Sequence, residues 1–99
     1  GTLQSSPNVT LPDGSISQVS SGTKITKIVP FAGRGTQKEL RAANRLSQKY
    51  GEGPDQWSKV RGDGYVDYEG NSRHCELHWY EAPQTGRVEM KVKRWFDES

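Results

Sequence analysis

The 99-residue chain has very little of what stabilises or anchors several common classes of protein. Its single cysteine, Cys75, cannot form an internal disulfide, which excludes a disulfide-stapled scaffold. One cysteine and two histidines are too few for a structural zinc site built from the usual four Cys and His ligands. Hydrophobic residues make up only 30% of the chain, and no apolar run approaches the ~20 residues that a membrane-spanning helix needs. We therefore expect one small domain with no cofactor, no metal and no membrane insertion.

Acidic residues are too few to balance the basic ones over most of the chain. All 14 lysines and arginines lie between Lys24 and Arg94, and residues 24–96 carry 14 basic side chains against 9 acidic ones. A surface of this charge suits a polyanionic partner such as nucleic acid, although charge alone identifies no sequence or chemistry.

The composition changes near Thr23. In residues 1–23, fifteen positions are Gly, Ser, Thr, Pro or Asn, a composition that buries too little apolar surface to fold. We predict a flexible linker over residues 1–23 and a basic domain over residues 24–99. The alternative is a small hairpin, in which residues 9–11 and 15–17 flank the turn Pro12-Asp13-Gly14.

The basic segment predicts an α+β fold. Residues 24–31 are β-branched and apolar and predict a strand. Thr36 and Glu39 have the capping-box spacing, and apolar residues recur at helical intervals as far as Gly51, so we predict a helix over residues 37–50. Three further strands are predicted over residues 57–68, 73–81 and 87–96. We expect a strand and one helix packed on an antiparallel meander.

Strand alternation divides the predicted meander into two faces. The apolar side chains at positions 75, 77 and 79 are expected to face the helix, and the polar face carries Glu76, His78 and Tyr80. If the turns at residues 69–72 and 83–86 have four residues each, they determine which residues lie opposite each other on neighbouring strands. A shift of this pairing by one residue would place His78 on the buried face. The expected opposite pairs are Asp63 and His78, Tyr65 and Glu76, Gly64 and Leu77, Val66 and Cys75, His78 and Lys91, Glu76 and Lys93, Tyr80 and Glu89, Leu77 and Val92, and Trp79 and Met90.

The polar face carries the groups that metal-free RNA cleavage needs. A base must take the 2′-OH proton, an acid must protonate the leaving 5′-oxygen, and cations must stabilise the charge on the phosphate. Histidine has an ordinary pKa that suits proton transfer near neutrality. We predict His78, Glu76, Lys91 and Tyr80 as the catalytic residues. The alternative is an ordinary solvent-facing sheet surface with cross-strand ion pairs.

Other basic residues are predicted to contact RNA or its phosphates. Arg34 lies in a Gly-rich turn at the predicted helix start, where free N–H groups attract phosphate. His74 is expected at the rim, because four residues of strand separate it from His78 by ~13 Å. Trp57, Trp95 and Phe96 are expected to pack rather than to stack on bases. The predicted contact set is Lys93, Arg34, Lys38, Arg41, Arg45, Lys59, Arg61 and His74.

Several short blocks between Lys24 and Val92 resemble a known family. They are Phe31-Ala32-Gly33-Arg34-Gly35-Thr36, Leu40-Arg41-Ala42-Ala43, Tyr50-Gly51, Trp57, Asp67-Tyr68, Glu76-Leu77-His78-Trp79-Tyr80-Glu81 and Lys91-Val92-Lys93. This stretch resembles the polymorphic toxin type 50 domain of bacterial toxins and phage-head-like proteins. The resemblance implies an RNase of the superfamily that groups barnase, EndoU, some colicins and RelE, with the active site on a face of the sheet.

The same resemblance implies a biological setting. Such a domain is secreted or injected as the C-terminal part of a larger bacterial protein, acts in the target-cell cytoplasm and is neutralised by an immunity protein. We expect an RNA substrate, with tRNA favoured, and a monomer when free. The alternative function is a non-catalytic module that binds nucleic acid or attaches to a phage-like particle.

Overall fold

This computed structural model describes residues 8–96 of the chain. They contain one α-helix and six strands. The strands are β1 Asn8–Thr10, β2 Ile16–Gln18, β3 Thr26–Gly33, β4 Ser58–Tyr68, β5 Asn71–Ala82 and β6 Gly86–Trp95; helix α1 is Ala43–Tyr50, and one 3₁₀ turn spans Pro54–Gln56. They form one sheet in the order β2-β1-β6-β5-β4-β3. The predicted α+β class is confirmed. The sheet is mixed rather than purely antiparallel, because β1 runs parallel to β6.

The first two strands replace most of the predicted linker. β1 and β2 pair as a hairpin, and Thr10 pairs with Lys91 of β6. Val9 is fully buried and Leu11 nearly so. The linker prediction is therefore wrong for residues 8–18, and the hairpin alternative is confirmed there. A mostly polar composition still folds here because Val9 and Leu11 enter a core supplied by other strands and Val19 packs against it, although Ile16 stays exposed. Residues 1–7 of the predicted linker lie outside the described residues.

The N-terminal segment also covers the face that we assigned to the helix. Leu77, Trp79 and Val92 pack in one core with Val9 and Leu11, and the buried residues Cys75 and Trp95 belong to the same core. The helix packs on the opposite face, at one end of it. There Leu46 joins a second core with Trp57, Ala82 and, partly buried, Tyr80. The prediction that the apolar face meets the helix is wrong, because residues 9–25 already occupy that face.

The turn between β4 and β5 is shorter than predicted. Glu69 and Gly70 have φ of 50° and 79°, as expected for a two-residue hairpin turn of type I′, and Tyr68 pairs with Asn71. The register therefore moves by two residues, which changes every partner and preserves every face. The observed pairs are Arg61 with His78, Asp63 with Glu76, Tyr65 with His74, Gly64 with Cys75 and Val66 with Arg73.

Two irregularities in β6 alter the other predicted register. His78 lies opposite Lys91 and Leu77 opposite Val92, as predicted. Register shifts on either side of them place Arg94 opposite Glu76 and Val88 opposite Tyr80. The second shift contains Glu89, which has a φ of 54°. Bulges of this kind redirect side chains, and here the Glu89 carboxylate accepts hydrogen bonds from α1.

The helix begins six residues later than predicted, at Ala43. Thr36 does not cap it. The Thr36 hydroxyl donates to the Gly33 carbonyl oxygen at 2.8 Å and accepts from the Lys38 N–H at 3.2 Å, so it stabilises a turn that precedes the helix. Gly51 ends the helix, as predicted, with a φ of 94°. The four predicted strands that have counterparts agree with the observed bounds to within two residues.

We expect Gly33→Ala to destabilise the fold far more than Gly35→Ala. Both glycines have a φ near 80°, which costs an L-residue ~1–2 kcal/mol. A Cβ at Gly33 would also lie 2.3 Å from the Trp57 carbonyl oxygen, whereas one at Gly35 would meet open space. Chemical denaturation of the two variants measures the difference in the free energy of unfolding. Equal destabilisation would contradict the close approach of β3 to Trp57.

Candidate active site

A hydrogen-bonded histidine and glutamate lie at the centre of the polar face of the sheet. Alternation along β5 directs the side chains of Glu76 and His78 to the same face, where their partners in β4 and β6 surround them with charge. His78 Nε2 lies 2.6 Å from Glu76 Oε2, and the other carboxylate oxygen, Oε1, accepts a hydrogen bond from Arg94 Nε at 3.0 Å. The two β5 side chains are each only 11% exposed. The ring of Phe31 covers His78, with the ring centroids 5.2 Å apart.

The charges of this pair follow from its surroundings. Burial lowers the pKa of His78 below its ordinary value of 6.5, and it outweighs the opposing effect of Glu76. Lys59 and Lys93 lower the pKa of His78 further. The hydrogen bond from His78 lowers the pKa of Glu76 below 4.5, and Arg94 adds to the effect. At pH 7 the glutamate is therefore ionised and the histidine is neutral.

These charges determine the tautomer of His78. An ionised carboxylate can only accept hydrogen bonds, so the proton of the neutral imidazole lies on Nε2, facing Glu76. Nδ1 then has a free lone pair and can accept a proton. If it does so, the nearby carboxylate stabilises the imidazolium that forms. The pair is thus a histidine base oriented by a glutamate, the arrangement that general-base catalysis uses.

Three cavities lie around the histidine–glutamate pair, and cationic side chains line each of them. The first, the central cavity, has a volume of about 150 Å³ and is lined by His78, Lys91, Lys59, Tyr80, Arg45 and Glu89. His78, Lys91 and Tyr80, three of the four predicted catalytic residues, line this cavity together. The fourth, Glu76, is hydrogen-bonded to Nε2 of His78. Lys59 Nζ lies 5.5 Å from the Phe31 ring centroid and 5.8 Å from that of Tyr80, so two rings flank its ammonium group.

The helix-side cavity, of about 330 Å³, extends the basic surface from Lys59 and Tyr80 to the segment before α1. Lys38 and Arg41 line it together with Phe31. These two residues were predicted to lie on a helix. They lie instead in the turn that precedes it, yet they still reach the same face as His78.

The strand-end cavity, of about 230 Å³, lies on the other side of the pair. It is lined by the cations Lys27, Arg61 and Arg94, by the carboxylates of Asp63 and Glu76, and by Val29 and Phe96. Arg61 is the β4 residue directly opposite His78. The polar face thus carries cations on both sides of the histidine.

Two predicted contact residues are placed differently, and a third lies where it was predicted. Arg34 lies away from the three cavities, near Glu52, and its Gly-rich turn does not lead directly into the helix, which starts at Ala43. Arg45 donates two hydrogen bonds to Glu89, at 2.9 and 3.0 Å, so its charge is already paired. His74 lies at the rim, four residues along β5, as predicted.

Two residues of this site, Arg94 and Phe31, were not predicted from the sequence. Arg94 would share the core face with Val92 in a regular strand, and only the shift between Glu76 and Leu77 brings it to the polar face. Phe31 lies in β3, and its place above His78 depends on the β3–β4 register, which also contains shifts. The shift in β6 has no glycine or proline to mark it, whereas one of the shifts in β3 begins at Pro30, a residue typical of strand edges and bulges.

Among residues 8–96, no group of three or more His, Cys, Asp or Glu side chains is arranged to hold a metal ion, and no helix is long and apolar enough to cross a membrane. No protein-family model, curated protein or solved structure matches this chain.

Proposed function

We propose that this protein is a metal-independent endoribonuclease whose general base is His78. The observation that carries the proposal is the neutral His78, hydrogen-bonded to a buried carboxylate and open to a cavity lined by Lys59 and Lys91. A neutral base beside two ammonium groups suits transfer at a phosphodiester, where a proton leaves and negative charge grows.

Each group has a role in this reaction. His78 Nδ1 takes the proton of the ribose 2′-OH, and the 2′-oxygen attacks the adjacent phosphorus. Glu76 holds the ring and stabilises the imidazolium. Lys59 and Lys91 stabilise the charge on the non-bridging oxygens, and we assign to Lys91 the proton that the departing 5′-oxygen receives. Tyr80, on which Lys59 rests, orients the phosphate. The products are a 2′,3′-cyclic phosphate and a free 5′-OH.

The biological setting that we propose follows from the resemblance of residues 24–92 to polymorphic toxin type 50 domains. In that setting the protein is delivered into a rival bacterial cell, cleaves RNA there, with tRNA favoured, and is held inactive in the producing cell by an immunity protein. The basic polar face also supports a second candidate function, which is binding of nucleic acid without cleavage.

One experiment separates the two candidates. We expect the protein, incubated in EDTA with total RNA and with purified tRNA, to produce discrete fragments that end in a 2′,3′-cyclic phosphate. Gel electrophoresis and end-group analysis measure the result. Intact RNA with a salt-dependent mobility shift would contradict the cleavage proposal and support binding alone.

A further inference from the structure

Three aromatic rings form a stack on the polar face, at the far end from the helix. The Tyr65 and His74 rings lie nearly parallel, with centroids 4.9 Å apart, and Phe96 tilts onto the other side of His74 at 4.8 Å. The Phe96 N–H donates to the His74 carbonyl oxygen at 3.0 Å, which fixes the end of the chain segment that carries the ring. We call Tyr65, His74 and Phe96 the aromatic stack.

The aromatic stack belongs to neither hydrophobic core. Tyr65 is 44% exposed and Phe96 is 38% exposed, so both outer rings present apolar surface to solvent. The sequence predicted that Phe96 packs like Trp57 and Trp95. Those two tryptophans are buried, but Phe96 is not, so its ring contributes contact surface rather than core volume.

The aromatic stack is connected to the histidine–glutamate pair by a basic depression. On the polar face, only the Asp63–Glu76 pair lies between the Tyr65–His74 pair and the Arg61–His78 pair. The strand-end cavity fills this interval, from Glu76 at one side to Phe96 at the other. Arg94 spans it, since its Nε donates to Glu76 and its Cζ lies 5.8 Å from the Phe96 ring centroid.

This order of groups matches the alternating chemistry of a single strand of RNA. Exposed rings stack on unpaired bases whatever the sequence, and guanidinium groups bind the phosphates between them. A duplex hides the faces of its bases, so stacking selects single-stranded segments. Recognition of a protein partner does not require a row of cations that ends in exposed aromatic rings. The arrangement therefore favours RNA over a protein.

We propose that the aromatic stack is a base-stacking subsite for single-stranded RNA, with Arg61 and Arg94 holding the phosphate between that base and His78. The inference extends the proposed function, from which it takes the position of the reacting phosphate. It adds the part of the surface that binds the strand beyond the cleavage point.

The test measures binding of a short single-stranded RNA whose riboses are 2′-O-methylated, so that the strand lacks the proton that cleavage would remove. We expect Tyr65→Ala to weaken binding by roughly 5- to 150-fold, the usual effect of losing one base–ring stack. The slope of affinity against salt should stay the same, because stacking releases no counterions. Arg61→Gln should lower that slope by about one ion.

The matched control is Ile16→Ala. Ile16 is 60% exposed but lies in β2, three strands from β5 in the sheet, so this variant should bind as the original protein does. A second measurement guards against a merely structural effect of Tyr65→Ala. Removing one base from the oligonucleotide, position by position, should weaken binding to the original protein at one position and leave binding to the variant unchanged there.

The outcomes separate this proposal from the cleavage proposal. Equal affinity of Tyr65→Ala and the original protein, a loss with no dependence on any single base, or no binding of the oligonucleotide at all would overturn the subsite. RNA cleavage could still occur in each of those cases. A base-dependent loss without RNA cleavage would support the subsite and overturn the nuclease.

Discussion

Replacing His78 with alanine is expected to lower the rate of RNA cleavage by roughly 10²–10⁴-fold, the usual effect of removing a positioned base. The substitution removes the imidazole that lines the central cavity and whose Nδ1 lone pair can take the 2′-OH proton. The chain should still fold, because Glu76 keeps Arg94 as a partner and both hydrophobic cores lie elsewhere. Single-turnover cleavage of tRNA measures the rate, and circular dichroism of the same sample shows whether the variant is folded.

The matched control for this variant is His74→Ala. Both histidines lie on the same face of β5, but His74 belongs to the aromatic stack and lies ~13 Å from His78. We expect it to affect RNA binding and not the rate of the chemical step at saturating RNA. If His74→Ala abolished that step while His78→Ala retained it, the catalytic assignment would be wrong.

The pH dependence of cleavage gives a separate test of the pair. Because His78 must be neutral to accept a proton, and burial lowers its pKa, the rate should fall only as the pH drops below 6.5. Glu76 raises the pKa of His78, so Glu76→Gln should move this acid limb to still lower pH while it reduces the plateau rate. A limb that moved to higher pH would show that Glu76 does not act on His78.

Deleting residues 1–22 is expected to unfold the protein at ordinary temperatures. The deletion removes Val9 and Leu11, which bury apolar surface worth ~1.5–3 kcal/mol each, and uncovers Leu77, Trp79 and Val92. It also removes the hydrogen bond from the Ser20 hydroxyl to Asp67 Oδ1, at 2.7 Å. Small domains have only ~5–15 kcal/mol of total stability. Thermal unfolding of the shortened chain measures the result.

Two substitutions in the same hairpin serve as controls for the deletion. Val9→Asp should destabilise strongly, because it places a charge in the main core, whereas Ile16→Asp should change little at a 60% exposed position. If the shortened chain kept its unfolding midpoint to within a few degrees, the hairpin would not belong to the folded unit.

The sequence predicted the contents of each sheet face better than the pairing of its strands. Alternation depends only on whether a residue number is odd or even, so the two-residue error at Glu69-Gly70 left Glu76, His78 and Tyr80 on one face. Arg94 escaped prediction because its position depends on a bulge, which results from packing across the sheet rather than from a local preference. The helix start was missed because Thr36 and Glu39 suit a turn as well as a capping box.

The hairpin in residues 8–18 was the least predictable element. It has no stability of its own to predict, since three-residue strands are too short to persist alone. The hairpin forms because β1 can pair with the edge of β6 and because Val9 and Leu11 can pack on the face that carries Leu77 and Trp79. The sequence of residues 8–18 alone contains neither partner.

The parallel pairing of Thr10 with Lys91 joins strands from opposite ends of the described chain, and this has a consequence for the order of folding. The β4–β5–β6 meander can assemble through neighbouring hairpins, whereas β1 must close a loop that contains the rest of the sheet. We therefore expect β1 and β2 to dock last and to detach first. Amide hydrogens of this hairpin should exchange with solvent through a partial opening, while those of β5, at the interior of the sheet, should exchange only on global unfolding.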